Sequence, residues 1–351
     1  MKQLVAVAPQ TLQFLDYEDR PINDHEISVK VLYASPKHGS EIADFRGQSP
    51  FLKENYDAEW QLFLPRKEDD TLAAVVFGKW NVGNMIVGKI TEKGKAVSGF
   101  EMGDTICTYG GIRETHIINA VNNHRLRKLT NDISWQTALC YDPAQFALGG
   151  IRDGNVRTGD YVAVFGLGAI GQIAVQILKK SGAAIVAAVD PIKMRRDVAL
   201  HCGADYVFDP IATDVGFELK KCSYKKGMDV IIETSGSKEA LQACFRGLAY
   251  GGTISYVAWP KEFVAGLNFG REAHYNNAKL VFSRVASEPL PDYPRWNRKR
   301  IEEAVWQLMV NGFIDGAEVI QPVVPFSEAA EAYITNVDQH PERSIKLGIV
   351  F

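Results

Sequence analysis

The period of the hydrophobic pattern changes along this chain, and the changes predict its elements. Residues 26–33 alternate apolar and polar side chains, as a half-buried strand does. Strand-like runs follow at 84–90 and 104–109, punctuated by Gly94, Gly99 and Gly103. Between Phe45 and Arg66 no period holds across two prolines and Phe51, Tyr56, Trp60 and Phe63, which predicts a functional loop or lid.

From Ala144 onward, short apolar runs alternate with helical periods. Strands are predicted at 161–165, 183–189, 206–208, 228–233 and 252–259, with helices at 172–180, 194–202 and 238–249. Repeated βαβ units with buried strands predict an α/β fold with a doubly wound parallel sheet. Beyond Pro291 the texture changes again, to helices at 300–311 and 326–336 and a last strand at 344–351. No internal repeat or low-complexity tract interrupts the chain. The expected division is therefore a β-rich domain from 1–143 and 292–351 around a parallel-sheet domain at 144–291.

The candidate chemistry begins where the strand at 161–165 runs into Gly166-Leu-Gly168-Ala-Ile-Gly171. The first glycine permits a tight strand-to-helix turn, and the second keeps no side chain in the way of a pyrophosphate. The third lets the helix lie close on the sheet. The helix start at Ala169 and Ile170 offers free N–H groups and a positive dipole end. Asp190 closes the next strand, nineteen residues beyond Gly171, placed to accept hydrogen bonds from an adenosine ribose and to repel a 2′-phosphate. This predicts NAD as cofactor. Strand ends should bring Gly166, Asp190, Thr234, Ser235 and Val257 along one crevice.

Composition narrows the alternatives. A chain of 351 residues holds two cores, and 46% hydrophobic with 23% charged residues describes an ordinary globular protein. The net charge of −3, with no long basic block, argues against nucleic-acid binding. The clusters at 124–128 and 295–300 read as a loop and a solvated helix start. Five scattered cysteines with no C-x-x-C pair suggest buried thiols in a reducing compartment, not disulfides or a zinc knuckle. The apolar runs are too short to span a bilayer, and the first residues show no secretory apolar core. A cytoplasmic location without membrane contact is expected.

Several further stretches, read with the glycine motif, carry a family resemblance. They are Gly99-Phe-Glu-Met-Gly-Asp104, Gly203-Ala-Asp-Tyr-Val-Phe-Asp209, Gly227-Met-Asp-Val-Ile-Ile-Glu233, Gly251-Gly-Thr, and Pro325-Phe-Ser-Glu-Ala-Ala-Glu-Ala-Tyr333. Nearly end to end, the chain resembles the medium-chain dehydrogenases/reductases, in the threonine, sorbitol and alcohol dehydrogenase branch. The resemblance implies a Rossmann domain plus a GroES-like β-rich catalytic domain. It also implies a homodimer or homotetramer, formed through sheet edges near 279–285.

In that branch a catalytic zinc polarises the substrate oxygen, and here its ligand motifs are altered. The cysteine motif C-G-S/T-D is matched by His38-Gly39-Ser40-Glu41, G-H-E by Gly83-Asn84-Met85, and E-P by Asp142-Pro143. The four-cysteine structural zinc lobe is missing, since residues 107–116 pass directly through its place. Asparagine and methionine are poor zinc ligands, which makes zinc an unexpected cofactor. A rearranged set would start from His38 and Asp142, with Glu41, Glu114 or His116 to complete it.

Without zinc a side chain must take the hydroxyl proton. His38 is the expected acid/base, Asp142 its orienting carboxylate or the cap of the helix that follows, and Ser40 the relay hydroxyl. The branch's relay histidine is Ala43 here. Asn84 and Glu41 would hydrogen-bond substrate hydroxyls. Lys346 matches a basic residue that reaches the cofactor pyrophosphate, and Arg195 one that packs beside the adenosine. Aromatic residues interleaved with polar ones between Arg46 and Trp60, with Trp80 and Trp259, suit a polyhydroxylated small molecule as well as simple loop packing. The expected activity is NAD-dependent oxidation of a secondary alcohol in a polyol, sugar or sugar derivative. An NADPH-type, zinc-independent enone or quinone reductase and a catalytically inactive NAD(H)-binding sensor are the alternatives.

Overall fold

The computed structural model describes all residues except 68–74, 131, 260–261 and 264–265. The chain divides into two compact units, Met1–Leu129 with Gln321–Phe351, and Thr130–Ile320.

The second unit is built on a six-stranded parallel sheet. Its order is Tyr206–Phe208, Ile185–Val189, Tyr161–Phe165, Met228–Glu233, Leu248–Tyr256, Lys279–Phe282. The inner strands are buried along almost their whole length because helices cover both faces. Phe165 pairs with Val189 on one side and with Glu233 on the other, so the sequence order reverses at Tyr161–Phe165. This is the doubly wound Rossmann arrangement, with a switch point beside the glycine turn. Phe165, Val189, Leu219, Ile231, Phe245, Ile254 and Tyr256 fill one core layer.

The helix Arg298–Val310 also belongs to this unit. Trp306 packs edge-on against Tyr141 of the helix Tyr141–Asp153, with ring centroids 5.6 Å apart. The units thus divide near residues 129 and 320, whereas the pattern of the sequence suggested 143 and 291. The apolar face of that helix finds its partner in Tyr141, which the local pattern does not reveal.

The first unit is antiparallel and β-rich, in keeping with the GroES-like architecture expected of it. Its larger sheet places Met85–Lys93, Glu26–Ser35 and Lys346–Val350 side by side, with Thr115–Asn119 also paired to Glu26–Ser35. Glu26–Ser35 carries the alternating burial its sequence predicts. The stretch between Phe45 and Arg66 is more regular than its sequence suggests. It holds a short helical turn, Pro50–Leu52, and a hairpin of Glu54–Asp57 with Leu62–Pro65, steadied by Phe63 against Phe51 and Tyr56.

Candidate functional site

In the parallel-sheet unit the three glycines have three different constraints. Gly166 has φ of +85°, and a Cβ there would lie 2.7 Å from the Ser235 amide nitrogen. At Gly171 a Cβ would meet the Gly166 carbonyl oxygen at 1.9 Å, so only glycine lets the helix Ala169–Lys180 seat on the turn. Nothing lies within 4 Å of where a Gly168 Cβ would be. Gly168 caps the helix without a side chain, and the first intrahelical bond is Gln172 N–H to Gly168 O at 2.9 Å. The amides of Ala169, Ile170 and Gly171 precede it. Open space before first-turn N–H groups fits a pyrophosphate.

Asp190 is 4% exposed and its carboxylate is already engaged. Oδ2 accepts the Leu167 N–H and Oδ1 the Ile192 N–H, both at 2.8 Å. The acid that would read a ribose thus also pins the middle of the glycine turn. Each oxygen keeps a second lone-pair direction for a ribose hydroxyl. Arg195 Nη1 stands 3.8 Å from Oδ2, while Arg196 donates to the Asp190 carbonyl at 2.7 Å and pairs with Asp209.

Thr234, Ser235 and Val257 do follow strand ends on the same side, and each is used within the fold. The Thr234 hydroxyl donates to Gly166 O at 2.8 Å, and the Ser235 hydroxyl to the Glu233 carboxylate. Val257 donates its N–H to Glu233 O at 2.8 Å and packs where a Cβ on Gly150 would stand. Glu233 escaped the sequence reading. It is fully buried, its carboxyl pushed up by burial and held by the Ser235 and Gly236 amides. The only signal was an acid closing an apolar strand.

In the β-rich unit, the remaining candidates gather at one end of the larger sheet. Ser40 and Glu41 open the helix Ser40–Phe45. Glu41 is buried; Oε1 accepts the Tyr333 O–H at 2.9 Å and Oε2 the Gly83 N–H at 3.0 Å. Burial pushes its carboxyl up to about 7, against the opposing pull of Tyr333, Gly83 and Lys346. Asn84 follows, its N–H on Ser35 O at 3.1 Å and its Nδ2 buried without a hydrogen-bond partner. Lys346 is buried and donates from Nζ to Pro36 O at 2.7 Å. Tyr333 is a further residue the sequence reading missed, since it meets Glu41 across 292 positions.

His38 accepts the Leu347 N–H on Nε2 at 2.9 Å. That bond selects the neutral ring with its proton on Nδ1. A proton arriving at Nε2 would face the Leu347 N–H directly, which counts against His38 as the proton acceptor. Asp142 lies in the other unit, buried in the first turn of Tyr141–Asp153, where its charge suits the helix dipole.

These residues do not fit a zinc ion. The Nε2 lone pair of His38 is taken by a backbone amide, and Asn84 offers a neutral amide, a poor zinc ligand. Glu114 accepts the Lys2 N–H, and His116 donates to Gly111 O at 3.0 Å, its pKa lowered to about 4 chiefly by burial. Among the described residues no three His, Cys, Asp or Glu side chains cluster as a metal group would. No described helix is long and apolar enough to cross a membrane.

Three comparisons relate this geometry to known proteins. A family model described as "Zinc-binding dehydrogenase" matches residues 169–303, a span that excludes residues 38, 84 and 142. D-guloside 3-dehydrogenase of Escherichia coli (strain K12) is 56% identical over 351 residues, covering all of both chains. The solved structure of 2R,3R-butanediol dehydrogenase from Bacillus subtilis superposes with a TM-score of 0.78 at 19% identity, over 100% of this chain and 99% of that one. The glycine turn, the Rossmann and GroES-like units and the full-length identity agree: the chain belongs to the medium-chain, zinc-binding dehydrogenase family.

Proposed function

We propose that the protein oxidises a secondary alcohol of a glycoside, the C3 hydroxyl of a D-guloside, with NAD as hydride acceptor. The observation that carries the substrate is the full-length, 56% identical relative named D-guloside 3-dehydrogenase. A glycoside dehydrogenase of this type also gives a use to Asn84 Nδ2, a buried donor without a protein partner. The relative's name as a dehydrogenase favours turnover over a sensor that has lost its chemistry.

Gly166, Gly168, Ala169, Ile170 and Gly171 hold the pyrophosphate in this reading, and Asp190 takes the ribose hydroxyls. The buried carboxylate would lie against a 2′-phosphate, a repulsion of about 4 kcal/mol at 4 Å for unit charges near a protein surface. That supports NAD over NADP and counts against an NADPH-type reductase. When bound, the nicotinamide accepts the hydride. Asn84 and Ser40 orient the sugar, and neutral His38 ties the start of Lys346–Val350 to the loop after Ser35. No metal step enters, because the donor set does not suit one. A second copy pairs along the outer strand Lys279–Phe282, where Phe282 is 64% exposed.

The test is NAD reduction across methyl glycosides of different configuration. The D-guloside should be the best substrate, with NADP a poor replacement for NAD. Activity confined to enones or simple alcohols would overturn the reading.

A further inference from the structure

We infer that Glu233 is a positioning residue for the cofactor, whose carboxylate shapes the wall of the nucleotide crevice that faces the glycine turn. The assignment rests on a nicotinamide cofactor at the switch point and not on the identity of the sugar. Strand order reverses at Tyr161–Phe165, so the crevice opens between that strand and Met228–Glu233. The residues after each strand meet closely there. A Cβ on Gly166 would lie 2.7 Å from the Ser235 nitrogen and 2.9 Å from its Cα. Thr234 donates its N–H to Phe165 O at 2.8 Å and its hydroxyl to Gly166 O, which ties the first residue of this wall to the glycine turn.

Glu233 fixes the next two residues. Its Oε1 accepts the Ser235 N–H at 2.8 Å and the Ser235 hydroxyl, and the Gly236 N–H is shared between both oxygens at 3.2 Å each. Gly236 has φ of +67°. Ser235 Oγ in turn accepts the Ser237 N–H at 3.1 Å, and Ser237 caps the helix Lys238–Gly247. Among the described residues, every hydrogen bond of this buried carboxylate comes from the one turn. An ionised carboxylate only accepts, so three converging donors suit it.

Glu233 is also the group here that changes charge. Burial pushes its carboxyl up, against the pull of Ser235 and Gly236. The titratable groups facing it are Tyr256, paired beside it on the next strand, and Cys244 on the helix Lys238–Gly247. Burial pushes the phenol up to about 12 and the thiol well above its ordinary range, so both stay neutral where a carboxyl titrates. Lys238 and Glu239 at the helix start pair with each other, and Phe165 on the other side brings no charge. A proton on Glu233 sets a donor among donors and weakens its hold on the turn. A cofactor that needs the ordered wall then binds in proportion to the ordered fraction. The ionised form binds it better, so affinity falls as pH is lowered.

The experiment measures NADH affinity by calorimetry from pH 8 to pH 5 on full-length wild type, Glu233→Gln, Ser235→Ala and Tyr256→Phe, with the melting temperature of each. Wild-type affinity should fall about fivefold or more over this range, the size of an ordinary coupling. Glu233→Gln should bind NADH more weakly than wild type at pH 8 and with no such fall. Ser235→Ala removes a donor that holds the carboxyl down, so its fall should begin at higher pH. Tyr256→Phe should follow wild type. A purely structural Glu233 would lower the melting temperature of Glu233→Gln but leave the pH profile of binding as in wild type, and that result overturns the inference. Loss of the pH dependence in Tyr256→Phe overturns it as well. Should Glu233→Gln fail to fold, Ser235→Ala decides, and a profile superimposed on wild type overturns the inference. A wild type that binds no NADH overturns the cofactor reading and this inference together. A wild type whose NADH affinity is the same at every pH overturns the inference alone.

Discussion

Replacing Glu41 by glutamine removes a carboxyl that is buried and pushed up to about 7 from an ordinary 4.5. The folded chain holds this proton more tightly than the unfolded one. The stabilisation that follows is fully present below pH 4.5 and is lost as pH rises through about 7. At 1.36 kcal/mol per pKa unit the whole window amounts to about 3 kcal/mol, of which about 2.5 kcal/mol falls between pH 5 and pH 8. Glutamine has no such window. Urea unfolding of both proteins at pH 5 and pH 8, read on the transition of the β-rich unit, gives the difference directly. The Glu41→Gln variant should gain about 2.5 kcal/mol relative to wild type on going from pH 5 to pH 8. The constant offset between the two proteins, from Tyr333 and Gly83 meeting an amide, does not affect that change. A difference that stays the same at both pH values would mean that Tyr333, Gly83 and Lys346 hold the carboxylate ionised throughout, and that burial has been overrated here.

Two further predictions concern the cofactor turn. Asp190→Asn should narrow the preference for NAD over NADP by about tenfold or more, roughly 1.4 kcal/mol out of the repulsion estimated above. An unchanged ratio of kcat/KM values for the two cofactors would place ribose reading elsewhere. Gly168→Ala has room in the folded chain but puts a methyl where the pyrophosphate must approach, so NADH binding should weaken by tenfold or more at nearly unchanged thermal stability. Gly171→Ala should instead lower stability by several kcal/mol, because its Cβ would meet a backbone carbonyl at 1.9 Å. Equal behaviour of the two variants, in binding and in melting, would refute the division of labour among the glycines.

The two units differ in how far their sequences reveal them. In the parallel-sheet unit each signal is local. Strand, turn, helix and acid succeed one another between residues 161 and 190, and steric limits at single glycines account for the spacing. The switch point and the crevice-lining strand ends follow from chain order alone. What sequence does not reveal there is side-chain occupation. Thr234 and Ser235 bond their own neighbours, and Asp190 holds Leu167 and Ile192 before it holds any ribose.

The β-rich unit reverses the case. Alternation identified Glu26–Ser35, but the candidate site also depends on Lys346–Val350 pairing with that strand, which no local pattern reveals. Contacts separated by 309 and 310 positions, His38 with Leu347 and Pro36 with Lys346, have no spacing to read. His38 drew attention because it replaces a ligand in the family motif. The bond that its Nε2 accepts comes from a backbone amide at the far end of the chain. The hairpin between Phe45 and Arg66 was hidden for another reason. Among the described residues its two four-residue strands pair only with each other, and its strand Leu62–Pro65 is exposed throughout, so no buried face imposes a period.

The account stands most directly on a hydride leaving the third carbon of the sugar. Methyl D-guloside carrying deuterium at C3, incubated with the purified protein and NAD, should yield reduced cofactor one mass unit heavier and a glycoside with a carbonyl at that carbon. Reduced cofactor without the label, or no reduced cofactor at all, would contradict it.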